Sequence, residues 1–319
     1  MISFLQIIKE EIKVFDKKFK NVLSTKANLL HKVSKYVTDN PGKKIRPICV
    51  IIASGFFENI TDKTYRGAIL IELLHTATLI HDDIVDDAQI RRSRLSINTI
   101  WKNKISVLAG DYFLAKGLKL SIAAKDFDVL NIISEVVEKI VEGELMQIEK
   151  TKKLDLTEED YFTIIKLKTG YLFASSFKIG AIAANTNKQN IELLTELGLI
   201  VGVLFQINDD ILDYTVKTGK IPGNDIKEGK INLPLLYALR QMNIEEKSTT
   251  YKFLRKKINT LEEISWINQI VLRYKGTEYA KSKMKDHYYK AAGIINNFDE
   301  NKYKSAALEL LNFLMNRKK

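Results

Sequence analysis

Two stretches of the chain repeat one pattern, LIHDDIVDD at residues 79–87 and FQINDDILDY at residues 205–214. Each contains Asp-Asp-x-x-Asp inside an apolar run with helical spacing. On a helix, the first and last aspartates of this pattern are four residues apart and lie on one face. The flanking residues are Leu, Ile, Val and Phe, whereas a solvated helix face would carry Lys, Glu and Gln. The sequence therefore predicts two acidic sites carried by two largely apolar helices.

The paired carboxylates indicate a bound cation. Asp82 with Asp86, and Asp209 with Asp213, bring like charges together, which destabilises a helix by about 0.2–0.5 kcal/mol per pair. Carboxylate ligands suit a hard cation such as Mg²⁺, which proteins usually bind through one or two carboxylates plus substrate phosphates. A single motif would be typical of a solvated helix face. Two copies in apolar helices favour a magnesium site for a phosphorylated substrate.

Composition and periodicity predict an all-α protein. The chain has 319 residues, 45% of them hydrophobic, with only 4 Pro and 15 Gly, which is low for a β-rich protein. Apolar stripes with helical spacing run from Ile132 to Ile148 and from Ala306 to Leu314, and Thr157–Asp160 resembles a capping box. The breaks between these segments are short. We therefore expect one domain over residues 1–319, a bundle of ten or more helices around a central cavity, in which both acidic motifs grip one diphosphate through Mg²⁺.

Charge and cysteine content bear on partners and location. The net charge of +11 suits anionic partners. The chain lacks aromatic–basic interleaving, and its acidic clusters would repel phosphate without a metal, so no nucleic-acid partner is expected. Cys49 is the single cysteine, which fits a reducing compartment, and the N-terminus lacks a basic n-region and a cleavage site. The expected location is the cytoplasm.

Basic groups accompany the first acidic motif. Arg91 and Arg92 follow it directly, and the arginine fork matches phosphate oxygens. Lys43 and Arg46 lie at a predicted helix start, where backbone N–H groups favour an anion. His75 lies two turns before the motif on the same helix. The alternatives are a solvated basic loop for the arginines, an ordinary turn for the helix start and a core residue for the histidine.

A second basic set accompanies the other acidic motif. Lys168 and Thr169 end one helical stretch, and a Gly-rich loop with Lys220 and Lys230 follows residues 205–214. A flexible loop beside a metal site can close over phosphates and exclude water. The pattern Gly-x-x-x-x-Gly-Lys-Ser/Thr is absent, so this loop is not a Walker A loop.

Together these segments resemble the trans-isoprenyl diphosphate synthases of the polyprenyl synthetase family, and among them the long-chain type that makes octaprenyl or heptaprenyl diphosphate. The matching segments are GKKIRP at residues 42–47, HTATLIHDDIVDD at 75–87, Arg91-Arg92, AGDY at 109–112, KTG at 168–170, FQINDDILDY at 205–214, Gly219-Lys220, Asp225, Gly229-Lys230 and Leu233-Pro234. They occur in the family's order from about residue 40 to 240. The resemblance also implies a homodimer, and a long polyprenyl product implies peripheral membrane contact during release.

The resemblance implies a role for each residue of these motifs. Mg²⁺ would be bound by Asp82, Asp86 and Asp209, with support from Asp83, Asp210 and Asp213. The diphosphate of isopentenyl diphosphate would be held by Lys43, Arg46, His75 and Arg92. The allylic diphosphate would be held by Arg91, Lys168, Thr169, Gln206, Lys220 and Lys230. Catalysis would rest chiefly on Asp82, Asp86, Asp209, Lys168 and Lys230.

The chemistry of these groups agrees with the implied reaction. Mg²⁺ and lysine neutralise a leaving diphosphate, so that the allylic C–O bond ionises in a cavity that excludes water. The alkene of isopentenyl diphosphate then attacks and a proton leaves. No side chain is an obvious general base, and the family implies that the departed diphosphate takes this proton. The rival interpretations are a terpene synthase, which needs no second basic diphosphate site, and a non-catalytic helical subunit or binding protein, which would usually lack one acidic motif.

Residues before the first motif bear on product length. In the family, an aromatic residue one turn before the motif blocks the growing tail, whereas small residues let it pass. Ala77 and Thr78 occupy this level and Leu74 lies further down, which predicts a heptaprenyl to nonaprenyl product for a quinone side chain. The alternative is that Phe113 stops the tail earlier, giving a short-chain farnesyl or geranylgeranyl product.

Overall fold

The protein is built almost entirely of helices. The computed structural model describes residues 3–39, 42–91, 94–214, 223–256 and 260–317. Its helices are α1 (Ser3–Ile7), α2 (Lys9–Leu23), α3 (Asn28–Asp39), α4 (Ile45–Gly55), α5 (Asp62–Val85), α6 (Ile97–Ala123), α7 (Phe127–Lys153), α8 (Glu158–Ile165), α9 (Tyr171–Ala183), α10 (Lys188–Leu212), α11 (Asn224–Lys227), α12 (Leu233–Gln241), α13 (Ile244–Leu254), α14 (Leu261–Arg273), α15 (Gly276–Asn296) and α16 (Lys302–Asn316). A π-turn (Lys166–Gly170) joins α8 to α9, and β1 (Ile90–Arg91) pairs antiparallel with β2 (Arg94–Leu95). The predicted all-α class is confirmed.

Several helix starts are set by local side-chain chemistry. The hydroxyl of Thr157 accepts a hydrogen bond from the backbone N–H of Asp160, and the Asp160 carboxylate accepts one from the Thr157 N–H. This reciprocal pair confirms the predicted capping box, which satisfies two backbone donors that the first turn of α8 leaves unbonded. Thr61 and Thr260 begin α5 and α14 in the same way.

The chain forms two compact units. The first unit comprises Met1–Glu135, Ser175–Thr195 and Phe298–Ala307. The second unit comprises Val136–Ala174, Glu196–Asn297 and Leu308–Lys319. The single domain expected over residues 1–319 stays a prediction.

In the first unit, α5 is the central helix and packs against α4 and α6. Its residues Leu70, Ile71 and Leu73 are fully buried, so the helix is apolar on nearly every side. A helix of this kind is stabilised mainly by burial of its apolar surface. At its C-terminal end Val85 is exposed, so the first acidic motif lies where α5 emerges from the core.

In the second unit, α8, α12, α14 and α15 and the C-terminal half of α10 supply the core. Tyr237 and Tyr279 stack with ring centroids 4.2 Å apart, which joins α12 to α15. The rings of Phe173 and Phe205, 5.3 Å apart, join α9 to α10 beside the second acidic motif. Aromatic pairs at such distances stabilise packing beyond the area that they bury.

The predicted apolar stripe of α7 has two different environments. Its N-terminal part, with Ile132 and Ile133, is buried. Further along, Val141, Leu145 and Ile148 are 52%, 63% and 42% exposed and lie on one face. The periodicity correctly predicted a helix with an apolar face, but part of that face is uncovered.

One helix among the described residues, α10, is long and apolar enough to cross a membrane by length and composition alone. Core helices of globular proteins pass the same test, and 44% of its most apolar window is buried within the protein. The charged second acidic motif also lies at its C-terminal end.

Candidate functional site

The first acidic motif lies on the last turn of α5. The N–H of Asp86 bonds to the carbonyl of Asp82 at 2.9 Å, so these residues occupy successive turns. Asp82 is half-buried and Asp86 is exposed. Asp83, between them, is only 4% exposed and accepts a hydrogen bond of 2.5 Å from Nε of Arg91 on β1. The strand β1 thus places Arg91 against Asp83, the middle aspartate of the motif.

A cavity of about 390 Å³ adjoins this motif in the first unit. His75, Asp83 and Arg91 line it, together with Lys44. Arg46 donates a hydrogen bond of 2.9 Å from Nη1 to Nε2 of His75. Because a guanidinium can only donate, Nε2 of the imidazole is the acceptor in this contact. The predicted residues His75 and Arg91 thus line one cavity, and Arg46 contacts His75.

Two lysines differ from the sequence-based expectation in detail. Lys43 is exposed, whereas its neighbour Lys44 lines the cavity and pairs with Asp16 at 2.6 Å. Both precede the first residue of α4, as the predicted helix start requires. Arg91, expected at the allylic diphosphate, shares this cavity with His75, expected at isopentenyl diphosphate. Arg92 and Lys220 lie outside the described residues.

The second acidic motif lies at the end of α10 and repeats this arrangement. The middle aspartate, Asp210, is 4% exposed. Its carboxylate accepts hydrogen bonds from the Tyr161 hydroxyl at 2.7 Å, from Nε2 of Gln206 at 3.0 Å and from the Leu233 N–H at 3.2 Å. Asp213 accepts a bond of 3.1 Å from the backbone N–H of Asp225.

The guanidinium of Arg317 forms an ion pair with Asp209. It lies over the ring of Phe205, with its central carbon 4.6 Å from the centroid, and its side chain is 11% exposed. Cation–π contact and charge pairing both stabilise this position. The C-terminal helix is also tied to α10 by a bond of 2.5 Å from Nδ2 of Asn208 to the carbonyl of Leu314.

The two motifs therefore share one pattern of burial. The middle aspartates are buried, whereas Asp82, Asp86, Asp209 and Asp213 are half-buried or exposed. Across the described part of the chain, no three Asp, Glu, His or Cys side chains are gathered as in a preformed metal site. Two outer carboxylates per motif still fit Mg²⁺, which takes one or two carboxylates and completes its shell with water and substrate phosphates.

A cavity of about 160 Å³ lies beside Asp210 in the second unit. The predicted residues Lys168, Thr169, Gln206 and Lys230 all line it. Thr169 donates from its hydroxyl to Oε1 of Gln206 at 3.0 Å. The structure thus brings together four of the six residues expected to hold the allylic diphosphate.

A close backbone approach places these side chains. A Cβ atom on Gly202 of α10 would lie 2.7 Å from Cα of Gly170 in the π-turn. Only glycine lets the two backbones come this close. Thr169 adjoins one glycine and Gln206 lies one turn beyond the other, so this crossing sets the distance between them. Irregular π-turns of this kind are frequent at functional sites.

The buried acids around this cavity have raised pKa values. Burial raises the pKa of Asp210 to about 6, although the hydrogen bonds from Tyr161 and Gln206 oppose that change. Burial, followed by the nearby carboxylates of Asp213 and Asp210, raises the pKa of Asp225 to about 8. Burial and the neighbouring carboxylates thus favour the protonated form of Asp225.

Some residues of the site were not assigned a role from the sequence. Asn232 accepts from the Tyr214 hydroxyl and donates to Asp225, each at 2.7 Å. Tyr161 and Arg317 reach the second motif from distant parts of the chain. The sequence offered two advance signals, since Asp225 belongs to a recognised motif and the region around Asn316 and Arg317 is weakly similar to the family.

The residues expected to limit product length are buried in the first unit. Ala77, Leu74 and Phe113 are almost inaccessible, and the Thr78 hydroxyl bonds to the carbonyl of His75 at 2.9 Å. Helices α5 and α6 are antiparallel. Gly110 abuts His81 and Gly117 abuts Leu70, which places Phe113 near the level of Leu74 and Ala77.

Comparison with known proteins gives consistent results. The profile of the family described as "Polyprenyl synthetase" matches residues 27–271. Octaprenyl diphosphate synthase of Haemophilus influenzae is 30% identical over 291 residues, covering 90% of this chain and 88% of that protein. A short chain isoprenyl diphosphate synthase of Methanothermobacter thermautotrophicus is 30% identical, with 99% of both chains covered. The structure of a polyprenyl synthase from Caulobacter crescentus, complexed with calcium and isoprenyl diphosphate, superposes with a TM-score of 0.94 at 27% identity, covering 100% of this chain and 98% of that one.

Proposed function

The chain belongs to the polyprenyl synthetase family and is an enzyme that transfers prenyl groups; on this premise we propose that it condenses isopentenyl diphosphate with an allylic diphosphate, head to tail, to a trans polyprenyl diphosphate. The observation that carries the proposal is the duplicated site. Each unit has an acidic motif, whose two outer aspartates are half-buried or exposed, and a cavity lined by cationic side chains. Two basic cavities, one in each unit, suit a reaction with two diphosphate substrates.

In the proposed mechanism, Lys168, Thr169, Gln206 and Lys230 bind the allylic diphosphate. These lysines carry positive charge to the oxygens on which negative charge develops as the C–O bond breaks. Asp82, Asp86, Asp209 and Asp213 would hold Mg²⁺, which supplies further neutralisation of the leaving diphosphate. Lys220 is proposed for the same site as Lys168, from its motif.

His75, Arg46, Arg92 and Lys43 are proposed to hold isopentenyl diphosphate, and Lys44 joins them because it lines the same cavity. Arg46 provides charge and contacts the His75 ring at Nε2. Since no described side chain here is an evident base for the last step, the released diphosphate is proposed to take the proton.

The middle aspartates are proposed to have a different role from that of their neighbours. Asp83 orients Arg91, and Asp210 orients Gln206. Because their side chains are only 4% exposed, they are proposed to support the metal-binding residues instead of acting as principal ligands.

The product is proposed to be long-chain. The octaprenyl relative and the small side chain of Ala77 support this length. A short-chain product is the second candidate, supported by the short-chain relative and by the position of Phe113 near the level of Ala77. Chromatography of dephosphorylated products decides between the two.

We also propose a homodimer in the cytoplasm with peripheral membrane contact during product release. Val141, Leu145 and Ile148 give α7 an exposed apolar stripe, which suits burial against a second copy of the chain. Light scattering coupled to size exclusion measures the mass. Leu145→Glu is expected to shift a dimer towards the monomer, and a wild-type monomer at micromolar concentration contradicts the dimer.

The function is tested by incubating the protein with Mg²⁺, isopentenyl diphosphate and labelled allylic starters. Asp82→Ala and Asp209→Ala are expected to lower turnover at least about 100-fold, because each removes a proposed metal ligand. Asp286→Ala, at an exposed helical aspartate on α15, is the matched control. All three variants should keep wild-type circular dichroism. Near-normal turnover by either motif variant at saturating Mg²⁺ contradicts the assignment.

A further inference from the structure

The side chain of Lys168 is held by two acceptors on α7. Its Nζ lies 2.8 Å from Oε1 of Glu144 and 2.5 Å from Oε1 of Gln147. These residues are three apart on the helix, so they project from successive turns of one face. An ammonium group has three N–H donors. Two of them reach this face of α7, and the third is left for a ligand in the cavity that Lys168 and Gln147 both line.

The approach of the lysine to α7 depends on one glycine. A Cβ atom on Gly143 would lie 2.7 Å from Cβ of Leu167, 2.9 Å from Cγ of Lys168 and 3.1 Å from the Lys168 backbone nitrogen. Contacts this short require the π-turn to move. Gly143 therefore allows the π-turn to lie against α7, and Glu144 and Gln147 then come within reach of the ammonium.

We infer that Glu144 and Gln147 are positioning residues for Lys168, and that Gly143 makes their contact possible. The inference rests on the proposed function, in which Lys168 binds the allylic diphosphate. A free lysine side chain loses considerable rotamer entropy when a ligand immobilises it. Here Lys168 is already ordered before the diphosphate arrives. The side-chain entropy is therefore lost when the protein folds and not when the diphosphate binds.

The negative charge of Glu144 has a consequence of its own. A carboxylate beside a diphosphate site repels the substrate. We therefore expect Glu144 at this place only if its contact with Lys168 outweighs that repulsion. The amide of Gln147 accepts the second bond without adding charge. The pair thus restrains Lys168 with one added negative charge instead of two.

The test measures binding and turnover separately. Binding of inorganic diphosphate with Mg²⁺ is followed by isothermal titration calorimetry, and steady-state kinetics vary one substrate at a time. The double variant Glu144→Leu with Gln147→Leu is expected to weaken diphosphate binding and raise the allylic KM about tenfold, equivalent to ~1.4 kcal/mol. The KM for isopentenyl diphosphate should stay within about twofold of wild type, which a merely structural role would not predict.

Two further variants separate positioning from packing. Glu144→Gln keeps an acceptor oxygen and is expected to retain wild-type binding. Gly143→Ala is expected to reproduce the tenfold loss, because its methyl group displaces the lysine. Gly293→Ala on α15, where a Cβ meets nothing within 4 Å, is the matched control and should change neither constant.

The inference is overturned if Gly143→Ala and the double variant bind diphosphate as wild type does, or if both raise the two KM values equally. Should the double variant fail to fold, Gly143→Ala and Glu144→Gln decide the question. Absence of turnover by the wild-type protein contradicts the proposed function alone, because the calorimetric comparison with diphosphate still tests the positioning role.

Discussion

Substitution of Gly202 by alanine should displace the backbone at the proposed allylic site, and the size of this displacement follows from the structure. The added Cβ would lie 2.7 Å from Cα of Gly170, whereas ordinary contact begins at 3.4 Å. The nearest atom belongs to the backbone of the π-turn and cannot rotate away. Relief therefore requires the two backbones to separate by about 0.7 Å, which is that difference.

This displacement acts directly on the proposed allylic site. The hydrogen bond between Thr169 and Gln206 is 3.0 Å long, and a separation of 0.7 Å would take it beyond hydrogen-bond distance. Overpacking of this kind destabilises a protein by about 1–3 kcal/mol. A misplacement of ~1 Å at reacting groups lowers rates about 100-fold. We expect kcat/KM for the allylic diphosphate to fall between tenfold and 100-fold, with an unchanged KM for isopentenyl diphosphate.

Steady-state kinetics with each substrate varied in turn, together with urea unfolding, provide the assay. Gly293→Ala again serves as the control, and its greater helix propensity should stabilise the protein by about 0.5–1 kcal/mol. A Gly202→Ala enzyme with wild-type allylic kcat/KM would refute the argument that this backbone crossing sets the site geometry. An equal rise of both KM values would show instead a general loss of structure.

Other perturbations test separate parts of the site. Ala77→Phe is expected to shorten the product sharply, as seen by chromatography after dephosphorylation; a wild-type enzyme that already stops at farnesyl or geranylgeranyl contradicts the long-chain prediction. Asp225→Asn should flatten the pH dependence of stability. The pKa of Asp225 is raised to about 8 in the folded state, against about 3.9 in the unfolded state. Between ~pH 4 and ~pH 8 the folded state therefore binds the extra proton, and the free energy of unfolding falls as the pH rises. The free energy of unfolding is measured with urea at pH 6 and pH 9 without Mg²⁺. If wild type and variant differ in this free energy by the same amount at both pH values, the prediction is wrong. Lys168→Ala should mainly raise the allylic KM, whereas Lys43→Ala and Arg92→Ala should mainly raise that for isopentenyl diphosphate; kinetics giving the same effect for all three variants argue against separate diphosphate sites.

Much of the local organisation could be predicted from the chain itself. Helical periodicity predicted the all-α class, and the Thr157 capping box was predicted and found because its partners are three residues apart. The two acidic motifs could be assigned to helices for the same reason. Four residues expected to bind one diphosphate do line one cavity, because the family motifs that identify them carry information about three-dimensional proximity.

The sequence alone determined which residues are charged, which are apolar and which share a helix face, since these depend on neighbours a few positions away. Tertiary structure decided which aspartate of each motif is buried. Asp83 and its neighbour Asp82 look alike in the sequence, but Asp83 is the buried one and accepts a hydrogen bond from Arg91. Asp210 is held by Tyr161, 49 residues earlier, and Asp209 by Arg317 near the other end of the chain. Burial and ion pairing at these positions depend on which distant segments pack together. The helical spacing of apolar residues does not specify these long-range contacts.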